Sequence, residues 1–176
     1  DCAVRGHFNT NFYFWIDGGL VNTVSLETLK NLSSIKDYMK TIDDKLLFLS
    51  FPYENDNEVH GFESKKFAEF CGVDKTTYVC RGGFFGGHKE KIKTFNGHYY
   101  GIIRDTLNAN CMGTEENFHT ILTYRYPEET HRYELADNGL VYPFFEMLST
   151  IEKTNVSNSE LIPWDKKKRS EERRVG

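Results

Sequence analysis

The chain alternates between short apolar runs closed by polar punctuation and longer stretches in which apolar residues recur at helical spacing. "FYFWI" (12–16) is a continuous run of strong β-formers that stops at Asp17, Gly18 and Gly19. A run without in/out alternation predicts a strand covered on both faces, as in the parallel sheets of α/β proteins. A two-residue Asp-Gly hairpin is the competing reading. It needs a matching strand, and "LVNTV" is short before the chain enters "SLETLKNLSSIKDYMK" (25–40). There Leu26, Leu29, Leu32, Ile35 and Met39 recur at helical spacing, with Ser25 placed to cap. The pattern therefore predicts strand, short connection, helix. It puts Trp15 inside the sheet and Asp17 just past the end of its strand.

"KLLFLSFPY" (45–53) reads as a second buried strand, and "ENDNEVHG" as a loop. "FESKKFAEFCG" has a short helical pattern ending at Gly72. "TTYVCRGGFFGG" (76–87) predicts a strand running into two glycine pairs, which the bland reading makes tight strand–helix turns. From His88, a helical stripe of Ile92, Phe95, Tyr99, Ile102, Ile103 and Leu107 follows. Another helix is predicted in "TEENFHTILTYRYP", capped by Thr114, with "HRYEL" and "GLVYPFFEML" completing the packed part. The fold class expected is α/β, a mostly parallel mixed sheet flanked by helices, over residues 1–154, with a loose tail at 155–176.

The 176 residues suffice for one domain, and 39% hydrophobic with 15% aromatic content describes a globular chain. A net charge of −4 gives no electrostatic case for nucleic acid, and no apolar run is long enough to span a membrane. Cys2, Cys71, Cys80 and Cys111 form no CxxC pair and read as separate thiols. The segment 169–176, "RSEERRVG", resembles the translation of a sequencing-library adapter, so it is set aside from fold reasoning.

Three groups of residues can carry chemistry. Asp17 follows a strand, where open α/β sheets bind ligands. Gly18 and Gly19 beside it let a phosphate approach the backbone. A carboxylate there can hold a divalent cation on a diphosphate, or simply end a strand. In "RGGFFGGHKEKI" (81–92), glycines precede a helix start, and Arg81 can pair with phosphate or lie on the surface. The segment is neither GxGxxG nor a P-loop. Glu115 and Glu116 open a helix, where they serve either as dipole-favoured acids or as chemistry. His119, one turn on, reads as a core or half-exposed histidine, and no Ser-His-Asp or HExxH pattern occurs.

"FNTNFYFWIDGGL", "RGGFFGG" and "GTEENFHTILTYRYPEETHRYEL", in that order, resemble the HtrL/YibB (WlaTC-type) family, glycosyltransferase-like proteins of bacterial surface-polysaccharide loci. The resemblance spans roughly residues 5–145 and is most specific at the Trp15-Ile16-Asp17 segment. The layout is also similar to GT-A glycosyltransferases. The resemblance implies sugar transfer from a nucleotide-diphosphate donor to a glycan hydroxyl, in surface polysaccharide or lipopolysaccharide synthesis. It implies Asp17 as ligand of Mn²⁺ or Mg²⁺, and Glu116 or Glu115 as the catalytic carboxylate. Trp15, Gly18, Gly19, Arg81, Phe85, Gly86 and Gly87 would contact substrate. A cytoplasmic location, or one against a membrane surface, goes with this.

Two departures stand out: Gly19 occupies the second aspartate position of a DxD motif, and Glu115 replaces the aspartate of an acidic pair. The strands that hold the nucleotide base in such folds are expected upstream of Asp17, so the chain is expected to be an incomplete GT-A-like domain that binds donor weakly. A non-catalytic carbohydrate-binding or assembly protein, and more weakly a glycosidase using paired carboxylates, remain open beside transfer.

Overall fold

The computed structural model describes residues 2–53, 57–136 and 140–160, with the side chains of Cys2 and 152–160 excepted. The charged tail and its adapter-like end lie outside the described residues. Four strands form one sheet: β1 (Phe12–Ile16), β2 (Leu46–Pro52), β5 (Tyr78–His88) and β6 (Thr130–Glu134). Their order is β1-β5-β2-β6. A small hairpin, β3 (Glu58–Val59) with β4 (Phe62–Glu63), stands apart and occupies part of the expected loop.

The sheet is mixed but mostly antiparallel, which corrects the mostly parallel expectation. β5 runs against both β1 and β2, and only β2 and β6 pair in parallel. The buried run that suggested parallel strands is real in β2, where Leu46 to Phe51 are all buried. Burial on both faces produces such a run whatever the direction of the neighbours. A second correction concerns β1, which is an edge strand with Trp15 56% exposed. Its apolar side chains turn toward a cavity and toward β5, not into a two-sided core. No hairpin follows it. Asp17 caps a 3-10 helix at Gly18–Asn22, and the chain continues into α2 (Leu26–Leu29), a 3-10 turn and α3 (Ile35–Thr41). The helical stretch after Ser25 is thus broken, with Ser25 Oγ accepting from the Thr28 amide as a cap.

Adjacent phenylalanines on β5 show why helices cover both faces. Phe84 packs on Phe144 and Phe145 of α7 (Tyr142–Glu160), while Phe85 packs on His119 of α6 (Glu115–Arg125). α5 (Lys89–Asn108) lies beside α6, and α1 (Cys2–Arg5) sits against α5. α4 (Ser64–Cys71) ends at Gly72, whose φ of 75° is the left-handed cap glycine permits. Phe84, Phe144 and Phe145 are fully buried. Each contributes about 1.5–3 kcal/mol by leaving water.

The "RGGFFGG" glycines lie within β5 rather than at its turns, a third correction. Phe48 pairs with Phe85 and Ser50 with Cys80, so Leu49 alone spans Arg81 to Phe84 and β5 bulges there. Bulges of this kind re-aim side chains beside functional sites.

Candidate functional site

Three strands, β1, β2 and β6, point their carboxyl ends the same way, because β1 and β2 both run against β5 and β6 runs parallel to β2. Asp17 follows the first of them. Its amide donates to Gly83 O (2.9 Å), and its Oδ1 accepts from the Gly19 amide (2.6 Å), so the carboxylate is fixed at the sheet end while remaining exposed. The β5 bulge then meets the first turns of α6. The Gly82 amide donates to Glu116 Oε1 (2.9 Å) and the Cys80 amide to Thr120 Oγ1 (2.8 Å). The start of α6 is held from behind by Asn117, which is fully buried. Its Oδ1 accepts from the Thr114 amide (2.8 Å), and its Nδ2 donates to Val59 O (2.8 Å).

Two cavities share Asp17. The smaller, about 300 Å³, has Arg81, Glu116, Gly19 and Gly83 in its walls together with Leu20, Thr23 and Val141. The larger, about 630 Å³, is walled by eight aromatic side chains, among them Trp15, Phe48, Phe85 and Tyr99, with Gly86, Asn96, Glu115 and His119. The predicted site residues therefore divide. Asp17, Gly19, Arg81 and Glu116 gather at the smaller cavity, and Trp15, Asp17, Phe85, Gly86 and Glu115 at the aromatic one. Gly18 and Gly87 line neither.

The two glutamates have different surroundings. Glu116 is 17% exposed, with Arg81 Nη1 at 3.7 Å and His60 Nε2 at 3.5 Å, the latter a contact without hydrogen-bond geometry. Arg81 itself lies over the Phe51 ring at 5.0 Å. Glu115 reaches back over Gly82: a Cβ there would lie 2.6 Å from Glu115 Oε1. Burial, and then the Glu115 charge, push the Tyr99 phenol upward.

The other glycines are explained by strand contacts. At Gly86, with φ 154°, a Cβ would overlap the Tyr13 carbonyl and lie 2.7 Å from Phe14 Cα, so β1 can cross only a glycine. At Gly87 a Cβ would press on Leu46 Cδ2 at 2.9 Å.

His60, Asn96 and His119 are not marked as site residues by the sequence. His119 is 5% exposed, its ring 4.2 Å from Phe85 and 5.3 Å from Phe48, and its Nδ1 is buried with no hydrogen-bond partner among the described residues. Burial pushes its imidazole down to about 4, so it is neutral at physiological pH. The signal that could find it is its place one helical turn after Glu115, in a helix whose inner face has to meet the sheet.

Among the described residues no group of three or more His, Cys, Asp or Glu side chains is arranged to hold a metal ion. The donor set at Asp17 fits a cation only in the manner of Mg²⁺ sites, where one or two carboxylates are completed by water and substrate phosphates. Among the same residues no helix is long and apolar enough to cross a membrane. Fold and site define an α/β domain with a mixed sheet and two cavities meeting at one carboxylate. No known protein family, curated protein or solved structure matches the chain.

Proposed function

We propose that the protein is a glycosyltransferase-like enzyme of the GT-A kind, resembling the HtrL/YibB family, that moves a sugar from a nucleotide-diphosphate donor to a glycan hydroxyl in surface-polysaccharide synthesis. One observation carries this reading: Asp17 lies where a cavity with Arg81 and Glu116 in its walls meets an aromatic cavity holding Glu115. A donor is itself divided in that way, into an anionic diphosphate and a sugar ring. The diphosphate would lie in the smaller cavity, where Arg81 supplies positive charge and the Gly19 and Gly83 backbone leaves room. The sugar would stack at the rim on exposed Trp15, above Phe85 and Gly86.

The acceptor oxygen attacks the anomeric carbon as the bond from that carbon to the diphosphate oxygen breaks. The acceptor proton passes to Glu115, and the nucleoside diphosphate leaves with the bonding electron pair. Glu115 suits the base role better than Glu116, because the latter is already held by the Gly82 amide with Arg81 beside it. Glu116 positions the bulge and Arg81. A Mn²⁺ or Mg²⁺ ion, when bound at Asp17, supplies further neutralising charge for the leaving group.

The test is calorimetric titration of the natural gene product with UDP- and GDP-sugars, with and without Mn²⁺. Binding strengthened at least about tenfold by Mn²⁺ supports the reading. Binding of free glycans with no nucleotide-sugar binding would instead show a carbohydrate-binding protein.

A further inference from the structure

We propose that the α5 wall of the aromatic cavity is the acceptor subsite and takes the terminal ring of an uncharged glycan, with Asn96 and Tyr99 binding its hydroxyls. The inference rests on the transferase reading and adds to it the place and the chemical class of the acceptor. α5 turns one face to this cavity: Ile92, Phe95, Asn96, Tyr99 and Tyr100 line it at spacings of three and four residues. The face changes character along the helix. Ile92 and Phe95 bring only carbon, whereas Asn96 brings an amide and Tyr99 and Tyr100 bring phenolic hydroxyls. The Asn96 amide and the Tyr99 hydroxyl make no hydrogen bond among the described residues, and neither is shut away from water as His119 Nδ1 is. Tyr100 is 50% exposed.

Such groups suit a sugar. A pyranose ring has apolar faces edged by hydroxyls, and each hydroxyl both donates and accepts. The Asn96 amide also does both, and Tyr99 and Tyr100, edge to face at 5.8 Å, add ring surface with a polar tip. The position suits the reaction as well. Glu115, the proposed base, lies in the same cavity, and its charge reaches the Tyr99 phenol. A ring held on Asn96 and Tyr99 would therefore offer a hydroxyl to Glu115 while the donor sugar lies on Trp15. The volume of about 630 Å³ is that of pockets for drug-sized ligands, so donor sugar and acceptor ring fit together. Charge narrows the class. The carboxylates of Asp17 and Glu115 line the cavity, and among the described residues no Lys or Arg side chain does. An acidic sugar such as a uronic acid would meet like charge with no cation to pair with.

The test gives the natural gene product a nucleotide-sugar that it turns over, with the methyl hexosides of glucose, galactose and mannose, or methyl glucuronide, as acceptor. Transfer to the best hexoside should exceed transfer to the glucuronide about tenfold or more. Asn96→Ala and Tyr99→Phe should each raise the KM for that hexoside about five- to tenfold, the usual worth of one hydrogen bond. The KM for the nucleotide-sugar should stay within about twofold, a split that a general loss of structure would not produce. Should a variant fail to fold, the preference of wild type for hexoside over glucuronide gives the answer. An unchanged hexoside KM in both variants, a glucuronide used as well as the best hexoside, or transfer to no hexoside would overturn the inference and leave the donor side of the transferase reading standing. Release of nucleoside diphosphate from no nucleotide-sugar would overturn both.

Discussion

Glu115 and Glu116 are neighbours in sequence with separate tasks, because successive helical residues face about 100° apart. Glu116 closes the β5 bulge. Replacing it with alanine leaves the Gly82 amide without its acceptor and should cost about 1–3 kcal/mol in urea unfolding. Glu115→Gln should move the midpoint little while lowering sugar transfer by roughly 10²-fold, the ordinary contribution of a general base. The glycines separate in the same manner. Gly82→Ala meets first the Glu115 side chain, which can swing away, and should cost under about 1 kcal/mol. Gly86→Ala meets the backbone of β1 and should cost more than about 2 kcal/mol, read in the same unfolding experiment. Equal costs for the two alanines would show that β1 yields easily, contrary to the packing described.

Within elements, much of α6 is legible in the amino-acid sequence. Thr114 as its cap and the acids of its first turn are local features, and local features are written in neighbouring residues. What the helix buries is not legible, because Phe85 and Phe48, which surround His119, come from strands far away in sequence. That burial has a consequence for pH. The folded imidazole titrates near 4 against an ordinary 6.5, so above pH 6.5 neither state binds this proton. As pH falls from 6.5 toward 4 the unfolded chain takes it up and the folded chain does not, so stability falls. At about 1.4 kcal/mol per pKa unit, the full loss is roughly 3 kcal/mol. His131, lowered by burial and hydrogen-bonded to the Tyr38 hydroxyl, adds to the slope in the same direction. Chemical unfolding between pH 7 and 4 should therefore show a shallower decline in His119→Phe than in wild type. Parallel declines would mean that His119 takes up its proton equally in the folded chain.

At the scale of the molecule, the position of Asp17 beyond its strand is readable, since an apolar run ending at Asp-Gly-Gly marks its own boundary. The direction of β5 is not. Eleven residues with four glycines look like a strand leading into turns, and only long-range pairing with β1 and β2 shows them to be the sheet's centre. The exposure of Trp15 is hidden for the same reason: nothing local distinguishes an edge strand facing a cavity from an internal one. These features place Asp17 between a cavity with Arg81 and Glu116 in its walls and an aromatic one, and the account of function depends on that position. The most direct measurement is release of nucleoside diphosphate from a nucleotide-sugar by the natural gene product, in Mn²⁺, for wild type and Asp17→Asn. The substitution keeps the size of the side chain and its cap on Gly19 but removes the charge. The account predicts metal-dependent turnover in wild type, lowered roughly 10²-fold or more in the variant with an unchanged unfolding midpoint. Full turnover by Asp17→Asn, or none by the wild type with any nucleotide-sugar, would contradict it.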